Sequence, residues 1–116
     1  MKIVAAGASD KGRVRDKNED VWFYDPKLGL FLVSDGMGGA AAGEVAAAMV
    51  KEGVVDGVTE NKNDLKVLDK NAPTLVGSIL ESVSISILEH SETRESLIGM
   101  GATLVMGLLR EDQLLI

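Results

Sequence analysis

The stretch Leu30-Phe31-Leu32-Val33-Ser34-Asp35-Gly36-Met37-Gly38-Gly39 constrains this chain more than any other. An apolar run stops at an aspartate, and Gly43 with an alanine-rich segment follows shortly after. The run reads as a buried strand and the alanines as the opening of a helix, with the helical pattern clear from Gly43. Asp35 therefore falls at a strand end where the core opens. A carboxylate there is costly unless it is paired or bound to a cation. Neighbouring glycines let backbone carbonyls approach such an ion. Taken alone, Asp35 also fits a turn or a helix N-cap.

The chain has 116 residues, no cysteine and one histidine, His90. A metal site would be built from oxygen donors, which select hard cations such as Mg²⁺, Mn²⁺ or Ca²⁺. The net charge of −6 suits cation binding and argues against nucleic acid or an anionic membrane as partner. Apolar residues at 46% indicate a packed core, and aromatics at 3% mean that Val, Leu, Ile, Ala and Met must fill it. The amino-terminal segment lacks the long apolar run of a signal peptide, and no window reaches the ~18 continuous apolar residues of a membrane span. A cytoplasmic location is the expectation.

Along the chain, residues 2–8 read as a small-residue strand and 9–20 as a charged loop. Residues 21–34 read as a hairpin around the turn Asp25-Pro26-Lys27-Leu28-Gly29. Ala46, Val50, Gly53, Val54 and Val58 mark a helix. Residues 59–71 read as a polar connector, and a second helix starts near Pro73. Val76, Ile79, Leu80, Val83 and Ile87 line one face of it, widened by Ile85 and Leu88 as if to cover a sheet. Residues 90–96 read as a surface loop, 102–109 as a strand, and 114–116 as the start of another. Strands, two helices, then strands point to helices on an antiparallel sheet, an α+β fold. An apolar strand at the last residues leads us to expect a longer fold.

A carboxylate cluster strengthens the reading of Asp35. Arg15, Asn18, Glu19 and Asp20 precede the hairpin, whose geometry brings residues 19–20 beside Asp35. Glu19 and Asp20 are adjacent, so in extended chain they point to opposite faces. One can aim at a shared ion and the other act through water. The planar fork of Arg15 suits a phosphate. Arg13 reads as a solvated loop charge.

These residues resemble a known family. Asp10-x-Gly12-x-x-Arg15-x-x-Asn18-Glu19-Asp20, then Ser34-Asp35-Gly36-Met37-Gly38-Gly39 with Gly43-Glu44, then Gly99-Met100-Gly101-Ala102-Thr103 is similar to the bacterial form of the metal-dependent serine/threonine protein phosphatases, the protein phosphatase 2C type. The resemblance implies an α-β-β-α sandwich, of which residues 1–116 form the N-terminal portion. It implies two Mn²⁺ or Mg²⁺ ions at one end. Asp35 would bridge both, Gly36 would offer its carbonyl, Glu19 and Asp20 would support the ions largely through water, and Arg15 would hold the substrate phosphate. A metal-activated water would attack phosphorus in line, without a phosphoenzyme. Gly38, Gly39 and Gly43 would form the turn into the helix, Glu44 would be structural or capping, and Asn18, Gly101 and Thr103 structural. The implied partner is a phosphorylated protein, such as a substrate of a serine/threonine kinase.

Met37 and Ala40 stand where some members carry a histidine, and Ala102 where threonine is usual. The family's second half, with further metal-binding aspartates, has no counterpart here. The chain could be a piece of a phosphatase, half of a split enzyme completed by a second chain, or an inactive interaction module, and an open sandwich invites self-association. A rival reading takes Gly36-Met37-Gly38-Gly39-Ala40-Ala41 as a dinucleotide-binding loop with Asp56 as the ribose ligand. It fails because Asp35 would face the pyrophosphate and Asp56 falls inside a helical pattern.

Overall fold

A computed structural model describes residues 20–111 and 113–116. The elements run β1 (Asp20–Asp25), β2 (Leu30–Met37), α1 (Ala40–Glu60), α2 (Ala72–Ser91), a 3-10 turn (Glu95–Leu97), β3 (Gly101–Arg110) and β4 (Gln113–Leu115). The strands form one antiparallel sheet in the order β1-β2-β3-β4. The strand read at 2–8 lies outside the described residues.

The hairpin forms where the turn residues predict it. The Asp25 carboxylate accepts from the Lys27 N–H at 2.8 Å, and Gly29 takes φ +60°, which an L side chain rarely adopts. Pleating then sorts the side chains. Leu30, Leu32, Ser34 and Gly36 of β2, with Met106 and Leu108 of β3, face the helices and are buried. With Val50, Val54 and Val58 of α1 and Val76, Ile79 and Val83 of α2 they make the main core.

The second helix departs from the sequence expectation. It packs chiefly on α1, where an added Cβ at Gly53 would lie 2.6 Å from Val83 Cγ2 and one at Gly57 2.5 Å from Ile79 Cγ2. Bare glycines let the two helices close up. Ile85 and Leu88, expected to widen a buried face, are 51% and 62% exposed. By length and composition α2 is also apolar enough to cross a membrane, although polar residues interrupt it throughout.

The connector is less polar in role than in composition. Leu65 is fully buried. The Arg110 guanidinium donates to the carbonyls of Leu65 (2.9 Å), Leu28 (2.7 Å) and Leu109 (2.8 Å), and burial lowers its pKa from the ordinary value. The Gln113 side chain accepts from the Leu68 N–H and donates to its carbonyl. Two residues at the β3–β4 turn thus pin the segment between the helices.

Candidate active site

Strand register builds the site. Asp20 is the Cα partner of Asp35 across β1–β2, and Asp35 is the partner of Thr103 across β2–β3. The three positions form a row over three strands on the face away from the helices. Partners in an antiparallel pair stand about 5 Å apart at Cα. Asp35 is half-buried. Its N–H donates to Thr103 Oγ1 at 3.3 Å, and that hydroxyl lies 3.5 Å from the Asp35 carbonyl. Thr103, read from the sequence as structural, thus steadies the backbone that carries the aspartate.

The glycines act chiefly by allowing close packing. A Cβ on Gly36 would collide with the Gly43 carbonyl, so the end of β2 rests directly on the first turns of α1. Gly43 is therefore a buried helical residue and not part of the turn, contrary to the sequence reading. The turn itself is Gly38 and Gly39, with φ of +110° and +94°. A Cβ on Gly38 would lie 2.8 Å from Met100 Cα, so Gly99-Met100-Gly101 backs the turn. Met100 and Leu97 are buried with Ala42 and Ala46 of α1. Gly101 pairs with Met37, at the end of the same ladder.

The helix begins at Ala40 with Gly39 as N-cap and no side-chain cap, so Glu44, in the second turn, does not cap it. The start of α1 places the positive end of a 21-residue helix dipole beside this end of the sheet. His90 is exposed in the last turn of α2. Arg15, Asn18 and Glu19 lie outside the described residues, as does the Asp20 side chain. Among the described residues no group of three or more His, Cys, Asp or Glu could hold a metal. The donors present at this end of the sheet, the Asp35 carboxylate and backbone carbonyls, are hard oxygen donors, the kind a hard cation takes.

Among the described residues the sheet is all antiparallel, with no β-α-β crossover, and Asp56 is exposed on α1. Both remove the dinucleotide reading.

No family model matches the chain. It is 32% identical over 111 residues to the serine/threonine phosphatase stp of Listeria innocua, covering 93% of this chain and 43% of that protein. The Mycobacterium tuberculosis serine/threonine phosphatase PstP/Ppp superposes with a TM-score of 0.75 at 29% identity, over 92% of this chain and 42% of that one. The catalytic domain of PstP in complex with two manganese ions gives 0.73 at 30% identity, over 92% and 43%. Over more than nine-tenths of its length the chain is similar to serine/threonine phosphatases of the protein phosphatase 2C type. Its sheet and two helices are the N-terminal part of that α-β-β-α fold, and it spans less than half the length of these relatives. In this phosphatase-type chain the acidic row, the glycine turn and the start of α1 share one end of the sheet.

Proposed function

We propose that the protein hydrolyses phosphoserine and phosphothreonine in proteins with two divalent cations, Mn²⁺ or Mg²⁺, and that Asp35 is their shared ligand. The observation that carries this reading is the register Asp20–Asp35–Thr103, set at the end of the sheet where Gly36 seats the start of α1. The PstP complex with two manganese ions supports the choice of metal. Bound cations of this kind supply a water of lowered pKa and neutralise phosphoryl oxygens.

The chain's own residues have separate tasks. Asp35, with the Gly36 carbonyl, would hold metal, and Glu19 and Asp20 would support it largely through water. Arg15 grips the phosphate with its planar fork. Thr103 and the packed glycines keep the ligand backbone rigid. With Met37 and Ala40 in place of histidine, the leaving group takes its proton from water or substrate.

Hydrolysis of para-nitrophenyl phosphate and of a phosphothreonine peptide, with and without Mn²⁺, tests the reading. Asp35→Asn is expected to lower Mn²⁺-dependent turnover by about 100-fold or more, since even outer-shell changes at metal sites cost 10–100-fold. Equal activity of the two proteins would remove Asp35 from the chemistry.

A second reading is an inactive interaction module of the same fold. Adding the remaining portion of a Listeria relative separates the two. Recovered turnover marks an enzyme, and continued inactivity of a folded mixture marks a module.

A further inference from the structure

The two helices leave a groove between them on the side turned away from the sheet, and no strand residue lines it. Gly53 and Gly57 of α1 meet Val83 and Ile79 of α2 without a Cβ of their own, so the seam stays unfilled above the contact. The groove encloses about 350 Å³. Its floor is apolar, with Val83 and Ile79 buried and with Met49 and Leu75 half-buried toward its two ends. Its walls are polar. Asp56 and Glu60 stand on α1, and Ser78, Ser82 and Ser86 follow one another turn by turn along α2, all five exposed. In the α-β-β-α order the helices are the outer layer, and the second sheet stacks on the opposite side of this one. The groove therefore faces outward in that fold.

The charge of this layer is one-sided. Together α1 and α2 carry six acidic residues and one lysine. That lysine, Lys51, lies 5.5 Å from the centre of the Phe23 ring of β1 and does not line the groove. Among the described residues that do line it, none is basic.

We infer that this groove docks an arginine-bearing segment of a partner protein. The aliphatic stem of an arginine lies along Val83 and Ile79, and its guanidinium reaches the carboxylate of Asp56 or Glu60. The serine hydroxyls take the remaining donors, since each accepts through its lone pairs. Ser78 already donates to the Thr74 carbonyl at 3.1 Å, so it meets the groove as an acceptor. A purely apolar segment would strip water from the two carboxylates without replacing it, and an acidic one would meet charge of its own sign. The inference stands apart from the proposed catalysis. Asp35 faces the other side of the sheet, and the readout is binding.

The test is titration of the isotope-labelled chain with a short peptide of alternating leucine and arginine, followed by amide NMR shifts. Salt of about 0.15 M screens long-range attraction to an acidic chain. Saturable shifts confined to the groove are expected, largest around Gly53, Gly57 and Ser82. Asp56→Asn combined with Glu60→Gln should weaken binding about fivefold, as two exposed ion pairs imply. Ser82→Trp fills the groove, keeps every charge and should lose binding. Ser78→Trp serves if that variant does not fold. Glu92→Gln combined with Glu95→Gln removes the same charge outside the groove and should bind like the parent. No shifts at peptide concentrations up to about 1 mM overturn the inference. Equal weakening by the two charge pairs overturns it too, because it marks diffuse attraction. So does binding unchanged in Ser82→Trp, or unchanged on loss of Asp56 and Glu60. Shifts centred on the strands around Asp35 would place the peptide at the other site and likewise overturn it.

Discussion

Leu32 is 1% exposed, and Val33, the next residue of the same strand, is 52% exposed. Both are aliphatic, and both lie in the central part of β2. They differ only in which side of the pleat they occupy. One side meets α1 and α2, and the other meets no described element. Hydrophobicity made both residues candidates for the core, and the placement of the helices chose between them. The same division separates the tasks of the sheet. Its helix face supplies stability, while its open face carries the acidic row at one end and an apolar surface over the rest.

The sharpest way to break this comparison is to truncate both neighbours. Leu32→Ala is expected to cost about 3 kcal/mol, from lost burial plus a cavity. Val33→Ala should cost less than about 0.5 kcal/mol. Urea unfolding of both variants is the measurement, and equal losses would mean that the second face is covered. Next in size is Gly36→Ala, where the new methyl must push the start of α1 away from β2. A loss of about 2 kcal/mol or more is expected, together with loss of Mn²⁺-dependent turnover. Calorimetric melting of the purified variant reads the first effect, and an unchanged midpoint would refute the close seat of β2 on Gly43.

Arg110→Met keeps the aliphatic stem but removes donors to three carbonyls. A loss of about 1.5 kcal/mol is expected, with faster hydrogen exchange in the segment around Leu65. Exchange that rises evenly over the chain would argue against a local tether. The smallest effect has the opposite sign. Ser34 is fully buried on the helix face, and its hydroxyl has no hydrogen-bond partner among the described residues. Ser34→Ala should therefore stabilise the fold by about 1 kcal/mol. A destabilised variant would show that the hydroxyl is satisfied.

Much of the site was legible because its signals are local. The apolar run ending at Asp35, the glycines behind it and the Pro-Gly turn predicted strand, turn and helix in order. The hairpin in turn predicted that residue 20 would lie beside residue 35, as the register shows. The start of α1 was read too late, because Gly43 looked like turn chemistry while it serves helix–strand contact. Thr103 was read as structural, but its contact with Asp35 was not foreseen, since the two lie 68 residues apart and no periodicity announces such a partner. Arg110 and Gln113 fall between the two strands expected at 102–109 and 114–116, and no local signal told that their side chains bind backbone of the connector.

The sequence by itself determined the elements, the hairpin and the acidic, glycine-rich signature of a phosphatase-type fold, because pleat, turn and helix preferences act over a few residues. Only the tertiary structure decided that α2 rests on α1, that Gly36 meets Gly43, that Thr103 backs Asp35, and which face of the sheet stays open. Those outcomes depend on shape and register between distant segments, which hydrophobic patterning does not specify.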